Sequence, residues 1–162
     1  MGHGRIPPVG SAEAIDCSCG AAGCLQTLAS ASGLIAGYAR RSGQTLPNAQ
    51  RVFEAAASGD PAAAETIAAG IDALALSLAQ CVALLGPEVI VLGGGMAQAG
   101  PALFDPLART VDSLLSFHRR PRLVKAELGR WAGTFGAALA ARAALGSMTG
   151  DSSETSKNTL TF

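Results

Sequence analysis

Three of the four cysteines in this chain, Cys17, Cys19 and Cys24, lie within eight residues of one another. Cysteine thiolates are soft ligands, and the glycines between the last two cysteines allow the backbone to fold around one ion. Three sulfur ligands and one histidine nitrogen make a closed structural zinc site. The alternative is three small buried side chains, but this spacing does not keep the thiols on one apolar face. The spacing therefore predicts a zinc site.

The fourth ligand has two candidates, because the chain contains two histidines, His3 and His118. His118 lies in a basic, solvated run next to Arg119, so His3 is favoured. The less favoured alternative is that His3 is a disordered residue near the start of the sequence. The remaining cysteine, Cys81, lies on an apolar helical stripe and is predicted to be a small buried core residue.

The composition excludes several classes of function. The chain has 162 residues, about one domain, and equal numbers of basic and acidic residues, 12 each, so no net field attracts nucleic acid or acidic lipid. We find no apolar run of the ~18 residues that a membrane span needs and no signal peptide. A cytoplasmic protein without membrane contact is predicted, and in that reducing compartment clustered cysteines favour metal over disulfides.

The elements that must position the cysteine run begin directly after it. Apolar residues recur at helical spacing from Leu25, and Gly33 is predicted to interrupt this segment. Asn48 is predicted to be the N-cap of a helix over about residues 48–57.

The longest predicted helix begins at Asp60, an N-cap residue that is followed by proline at the first helical position. Gly86 ends it. A continuous apolar stripe at helical spacing predicts that this helix forms the centre of the core. The stripe consists of Ile67, Ile71, Leu74, Leu78, Cys81, Val82 and Leu85.

Strands and helices alternate in the second half of the chain, which predicts an α/β domain with parallel strands. The predicted elements are a buried strand over 88–92, a helix near 101–116, a strand over 122–126 and a closing helix over 133–145. We predict one domain over residues 1–146, made of a zinc loop (3–24), a helical segment (25–85) and a strand–glycine turn–helix core (88–146). Residues 147–162, rich in Ser, Thr and Asn, are predicted to be a disordered tail.

Gly93, Gly94 and Gly95 follow the first predicted strand, where glycines allow the backbone to approach a ligand closely. A nucleotide contact is one interpretation of this turn, and a simple chain reversal is the other, because the run matches neither the P-loop nor the dinucleotide pattern. The arginines near residue 120 are interpreted as a solvated approach to a strand, since no aromatic residues are interleaved with them. No catalytic set of side chains is evident.

These motifs together resemble the ROK family, which groups sugar kinases with sugar-responsive repressors. The resemblance spans about residues 2–145. It rests on the pair Gly2-His3, the cysteine run with Leu25 and Thr27, the run from Pro87 to Gly95, and the run from Gly133 to Leu139. It implies the fold of the second domain of an actin-like ATPase, which is ribonuclease-H-like.

The resemblance also implies roles for individual residues. His3, Cys17, Cys19 and Cys24 would hold one structural zinc, with His3 beside the sugar hydroxyls. The glycine turn corresponds to the adenosine motif. Family kinases transfer a phosphoryl group from ATP to a sugar hydroxyl, with Mg²⁺ offsetting phosphate charge and an aspartate of the first domain as base. Homo-oligomers are also implied.

Two departures from the family pattern qualify this prediction. The usual glutamate two residues after the last cysteine is replaced by Gln26, which donates as well as accepts hydrogen bonds at the sugar. The first domain, with its phosphate loops and catalytic aspartate, has no counterpart in this sequence, which predicts that the chain alone is not a competent kinase. The resemblance thus predicts the C-terminal half of a ROK-family, glucokinase-like sugar kinase that contributes sugar and adenosine contacts. The alternatives are the effector domain of a ROK repressor and a zinc-stabilised module that acts through association with another chain.

Overall fold

The computed structural model describes residues 1–7 and 14–150. The chain divides into two compact units, Met1–Glu127 and Leu128–Phe162; the single domain over residues 1–146 stays a prediction. The first unit contains, in order, a 3-10 helix at Leu25–Thr27, α1 (Ala31–Ser42), α2 (Ala49–Ala57), α3 (Pro61–Leu85), β1 (Val89–Leu92), a 3-10 helix at Met96–Ala99, α4 (Pro101–Leu114) and β2 (Arg122–Lys125). The second unit contains a 3-10 helix at Gly129–Trp131 and α5 (Ala132–Gly150).

Helix α3 is the centre of the first unit, as the apolar stripe predicts, and it contacts α1, α2 and α4. Ile71, Leu78 and Val82 of α3 are buried. By length and composition α3 could cross a membrane, contrary to the expectation from the sequence, but its buried side belongs to this helical core. Leu85 is 78% exposed, so the predicted stripe extends one turn too far.

Both predicted helix N-caps are confirmed. Asn48 accepts a hydrogen bond from the backbone N–H of Arg51 at 3.0 Å. Asp60 accepts two, from the backbone N–H groups of Ala62 at 2.9 Å and Ala63 at 3.2 Å. These bonds satisfy N–H groups that have no partner within the helix.

Asp60 also accepts a hydrogen bond of 2.8 Å from the hydroxyl of Tyr38, which is 4% exposed and lies on α1. The Tyr38 hydroxyl and the two backbone donors lower the pKa of Asp60 below its ordinary value of 3.8. The bond to Asp60 raises the pKa of Tyr38 above 10. One side-chain pair therefore joins the middle of the core to the start of α3.

We expect this pair to make folding stability depend on pH at both ends of the range. Because the pKa of Asp60 is lower in the folded protein, its contribution is complete above pH ~3.8 and is lost as pH falls through the folded value. Because the pKa of Tyr38 is raised, its contribution is present below pH ~10 and is lost as pH rises further. Denaturation midpoints of wild type, Tyr38→Phe and Asp60→Asn measured from pH 2 to 11 would test this. Equal pH slopes in all three proteins would contradict it.

The predicted interruption at Gly33 is wrong, because α1 begins at Ala31 and runs through that residue. The break lies at residues 28–30 instead. Ser30 caps the helix by accepting a hydrogen bond of 2.9 Å from the backbone N–H of Gly33. Glycine is required there by close packing, since a Cβ atom would lie 2.7 Å from the carbonyl oxygen of Gln26.

The two strands pair in parallel, as predicted, with Val89 opposite Arg122 and Leu92 opposite Lys125. The prediction that the first strand is buried is wrong. Ile90 and Leu92 pack against the helical core, whereas Val91 is 61% exposed. Side chains alternate between the two faces of a strand, and within the described part of Met1–Glu127 the helical core covers the face that carries Ile90 and Leu92.

Helix α5 forms the second unit together with the short helix that precedes it. It begins one residue before the predicted position and continues to Gly150. Residues 147–150 of the predicted tail belong to this helix. Residues 151–162 of the predicted tail lie outside the described residues.

Candidate metal centre and adjoining cleft

Backbone hydrogen bonds fix the first residues of the chain against the end of the cysteine run. The N–H groups of Leu25 and Gln26 donate to the carbonyl oxygens of Gly4 and Gly2, both at 2.9 Å. An isolated antiparallel bridge pairs Arg5 with Cys24. These contacts place His3, which is 21 residues away in sequence, next to Cys24.

The cysteine run itself folds as a tight reversal. The N–H of Cys17 donates to the carbonyl of Ala21 at 2.8 Å, and the N–H of Gly20 donates to the carbonyl of Cys17 at 2.9 Å. Gly20 has a φ of +86°, a left-handed conformation that favours glycine. The reversal brings Cys19 back toward Cys24.

All four predicted ligand side chains meet in one cluster, which we call the Cys–His cluster: His3, Cys17, Cys19 and Cys24. Their ligand atoms all lie within 4.8 Å of one another. The Nδ1 atom of His3 is 3.7 Å from the sulfur of Cys17, and the sulfurs of Cys19 and Cys24 are 3.6 Å apart. Cys24 is fully buried, whereas Cys19 is exposed.

These separations fit a tetrahedral metal ion. Zinc–sulfur bonds of about 2.3 Å and a zinc–nitrogen bond of about 2.1 Å place tetrahedral ligand atoms about 3.5–3.8 Å apart. The His3–Cys17 and Cys19–Cys24 separations of 3.7 and 3.6 Å lie in that range, and all other pairs of ligand atoms lie within 4.8 Å. The donor set of three thiolates and one imidazole is also one that zinc prefers.

The thiols of the Cys–His cluster differ in acidity. The backbone N–H of Cys19 is the main cause that lowers the pKa of Cys17 to about 6, with smaller contributions from His3 and Gln26. Burial is the main cause that raises the pKa of Cys24 to about 11, and neighbouring sulfurs add to it. Three thiolates at this distance repel one another, and a bound cation removes that cost.

Gln26, the predicted sugar contact, lies between the Cys–His cluster and a cleft of about 380 Å³. Its Nε2 atom donates to the sulfur of Cys17 at 3.1 Å. The cleft is lined largely by polar side chains, among them Asp16, Ser18, Thr27, Ser30, Ser32 and Arg40. His3 stays with the Cys–His cluster and is not among the cleft-lining residues.

The residues of α1 that line this cleft, among them the polar residues Ser32 and Arg40, were not among the site residues predicted from the sequence. Gly33, Ala36 and Arg40 lie on one face of α1 because they recur at helical spacing. That spacing was the available signal. An arginine on a helix does not by itself indicate a binding site. Arg40 lines the cleft because α1 lies beside the cysteine loop, which the local sequence does not show.

The predicted nucleotide turn, Gly93–Gly95, follows β1 directly and is exposed. Gly94 has a φ of +86°. A Cβ on Gly95 would lie 3.7 Å from Ala31, the first residue of α1, so the turn borders the helix that lines the cleft.

The histidine and arginines near residue 118 are not part of the Cys–His cluster. His118 stacks on the ring of Phe117. Arg119 forms an ion pair with Glu88, and Arg120 forms one with Asp112 at 2.6 Å. Arg120 also donates to the carbonyl oxygens of residues 115, 116 and 118. The interpretation of these arginines as part of the approach to β2 agrees with these contacts.

Cys81 lies on α3, apart from the Cys–His cluster, and is half-buried rather than fully buried as predicted. Its sulfur lies 3.5 Å from that of Met1. It offers a control thiol for experiments on the cluster.

Comparison with known proteins decides the family. The model of the ROK family matches residues 1–144. The chain belongs to the ROK family. This membership agrees with the resemblance carried by the cysteine run and the glycine turn.

Two curated relatives of the chain are sugar kinases by name. It is 33% identical to the glucokinase of Thermotoga maritima over 153 residues, covering 85% of this chain and 47% of that protein. It is 32% identical to the N-acetyl-D-glucosamine kinase of Aliivibrio salmonicida over 145 residues, with the same coverage. The chain therefore spans about half the length of the curated relatives it matches.

Solved structures of ROK proteins have a similar fold. The ROK hexokinase of Thermus thermophilus superposes with a TM-score of 0.72 at 32% identity, covering 85% of this chain and 45% of that one. A ROK transcriptional regulator, a homologue of the E. coli MLC protein, has a TM-score of 0.61 at 27% identity and covers 76% and 33%. The structural neighbours that are ROK sugar kinases have the actin-like ATPase fold. The chain itself is rich in helices and contains a small two-stranded sheet.

Proposed function

We propose that this chain is the zinc-containing half of a ROK sugar kinase that phosphorylates a hexose or an N-acetylhexosamine. The observation that carries the proposal is the Cys–His cluster beside a polar cleft, in a chain whose curated relatives include a glucokinase and an N-acetyl-D-glucosamine kinase. The protein would act in the cytoplasm as a homo-oligomer.

The cleft suits a polyhydroxylated ligand. Asp16 accepts hydrogen bonds, Arg40 donates them, and the hydroxyls of Ser30 and Ser32 do both. A sugar presents hydroxyl groups of both kinds, so a few convergent polar groups fix its orientation. We assign Gln26 to the wall of this cleft next to the Cys–His cluster; a contact of His3 with the sugar stays a prediction from the family resemblance, because His3 does not line the cleft.

Zinc fits the Cys–His cluster and would be held by His3, Cys17, Cys19 and Cys24. Its contribution when bound is structural, because four protein ligands close the coordination sphere. The cluster would fix the cysteine loop, which carries Asp16 and Ser18 into the cleft. The residues of this chain would thus bind and orient the sugar.

The nucleotide would contact the turn Gly93–Gly95, whose exposed backbone allows close approach. Mg²⁺ and the base that removes the sugar proton would come with the rest of a complete kinase, since the relatives are about twice as long. Catalysis of phosphoryl transfer depends mainly on positioning the reactants and stabilising the charge of the transition state, and this chain would supply only part of each.

The proposal is tested by assaying the chain alone. Sugar binding is measured by calorimetry with glucose and with N-acetylglucosamine, and ADP release is measured with each sugar. We expect binding of at least one sugar and no ADP release above a blank without protein. Turnover by the chain alone would contradict the assignment of the base to another part of the enzyme, and binding of neither sugar would contradict the sugar site.

The alternative is the effector domain of a ROK transcriptional regulator, which the structural likeness to one such regulator favours. The kinase proposal requires a nucleotide site at the glycine turn. A non-hydrolysable ATP analogue should therefore raise the melting temperature of wild type but not of Gly94→Ala. Gly43→Ala is the matched control, because Gly43 also has a positive φ, +72°, and also lies in open space. No shift in wild type would favour the regulator.

A further inference from the structure

Gln26 has a specific contact that a sugar ligand does not explain. Its side-chain nitrogen Nε2 donates to the sulfur of Cys17 at 3.1 Å. Its backbone N–H donates to the carbonyl of Gly2 at 2.9 Å, next to the ligand His3. The residue is therefore tied at two points to the Cys–His cluster.

The contact needs a donor, and only the amide supplies one. A metal-bound thiolate is an acceptor of hydrogen bonds. The NH₂ group of glutamine donates to it, whereas an ionised glutamate has acceptor oxygens only. A carboxylate held in the same place would put a second negative charge beside the sulfur of Cys17 and could not donate to it, so a glutamate here would have to turn away from the sulfur.

The proposed centre carries a net negative charge, which a hydrogen-bond donor beside it stabilises. One Zn²⁺ with three thiolates carries a formal charge of about −1. Hydrogen bonds to the sulfurs disperse that charge, and groups that contact metal ligands orient them and tune affinity. The residue Cys17 is 9% exposed, so water has little access to its side chain.

We propose that Gln26 is a positioning residue of the metal centre: its amide holds and stabilises the Cys17 thiolate and thereby increases the affinity for zinc. This inference rests on the proposed zinc site. Gln26 also lines the cleft proposed to bind the sugar, so its hydrogen bond to Cys17 would fix the orientation of its amide there.

The test compares zinc affinity among full-length variants by competition with a chromophoric chelator. Gln26→Leu keeps the approximate size and removes the donor, and Gln26→Glu keeps the size and adds charge. We expect Gln26→Leu to bind zinc about 10–100-fold more weakly than wild type, and Gln26→Glu also to bind it more weakly, because neither side chain can donate to the sulfur of Cys17. Ser32→Ala is the matched control, because Ser32 lines the same cleft and belongs to α1 rather than to the cluster.

A second readout separates a role at the metal from general loss of structure. With Co²⁺ in place of zinc, the thiolate-to-cobalt absorption band should shift in both Gln26 variants and not in Ser32→Ala. Affinities within twofold of wild type, with an unchanged band, would overturn the inference while leaving the zinc site intact. A wild-type protein that binds no zinc would overturn both.

Discussion

Cys24→Ser is expected to remove stoichiometric zinc from the protein and to lower its melting temperature by about 10 °C or more. Cys24 is the fully buried member of the Cys–His cluster. Its backbone also pairs with Arg5, so the residue joins the N-terminal segment to the cysteine loop. Serine is a poor ligand for zinc, and without the metal the clustered ligands lose the interaction that holds them together.

Metal analysis and thermal denaturation, with and without a chelator, check this expectation. Wild type should contain about one zinc per chain and lose stability on chelation, whereas Cys24→Ser should be insensitive to the chelator. Cys81→Ser provides the control, because it removes a half-buried thiol of α3 outside the Cys–His cluster. A Cys24→Ser protein that keeps its zinc and its melting temperature would refute the structural-zinc proposal.

Gly33→Ala is expected to destabilise the protein by about 3 kcal/mol, the upper end for overpacking. A Cβ atom at this position would lie 2.7 Å from the carbonyl oxygen of Gln26 and 2.9 Å from that of Thr27. Both are backbone atoms, so a change of rotamer cannot relieve the contact. The first turn of α1 would have to move away from the segment that follows Cys24.

Urea denaturation gives the free energy of unfolding for this comparison. Ser32→Ala is again the control, since it changes the adjacent, exposed residue of the same helix turn. Its effect should stay within about 0.5 kcal/mol, as is usual for surface substitutions. Equal stability of Gly33→Ala and Ser32→Ala would show that the close approach of α1 to Gln26 does not constrain the fold.

Local signals in the sequence were enough for much of the fold. Asn48 and Asp60 have the side chains that helix N-caps require, and proline at position 61 completes the second signal. The parallel pairing of β1 and β2 followed from the alternation of strands and helices. The candidate ligands of the Cys–His cluster followed from residue type and spacing, which already favoured His3 over His118, and the family resemblance strengthened that choice.

Other features depend on neighbours that a local pattern does not contain. Gly33 looked like a helix break because glycine is a poor helix former, but its role is set by the backbone of Gln26, seven residues earlier. The apolar run of β1 looked buried on both sides, yet exposure of Val91 depends on which elements cover the sheet. The bond between Gln26 and Cys17 depends on the reversal of the cysteine loop, which no periodicity encodes.

The tie between the first four residues and the end of the cysteine run has a practical consequence for purification. The carbonyl oxygens of Gly2 and Gly4 accept hydrogen bonds from residues 26 and 25, and His3 lies among the candidate ligands. A polyhistidine tag fused ahead of Met1 would therefore bring extra imidazoles next to the cluster and obscure the zinc stoichiometry. A tag placed after Phe162 is far from His3 along the sequence and avoids this problem.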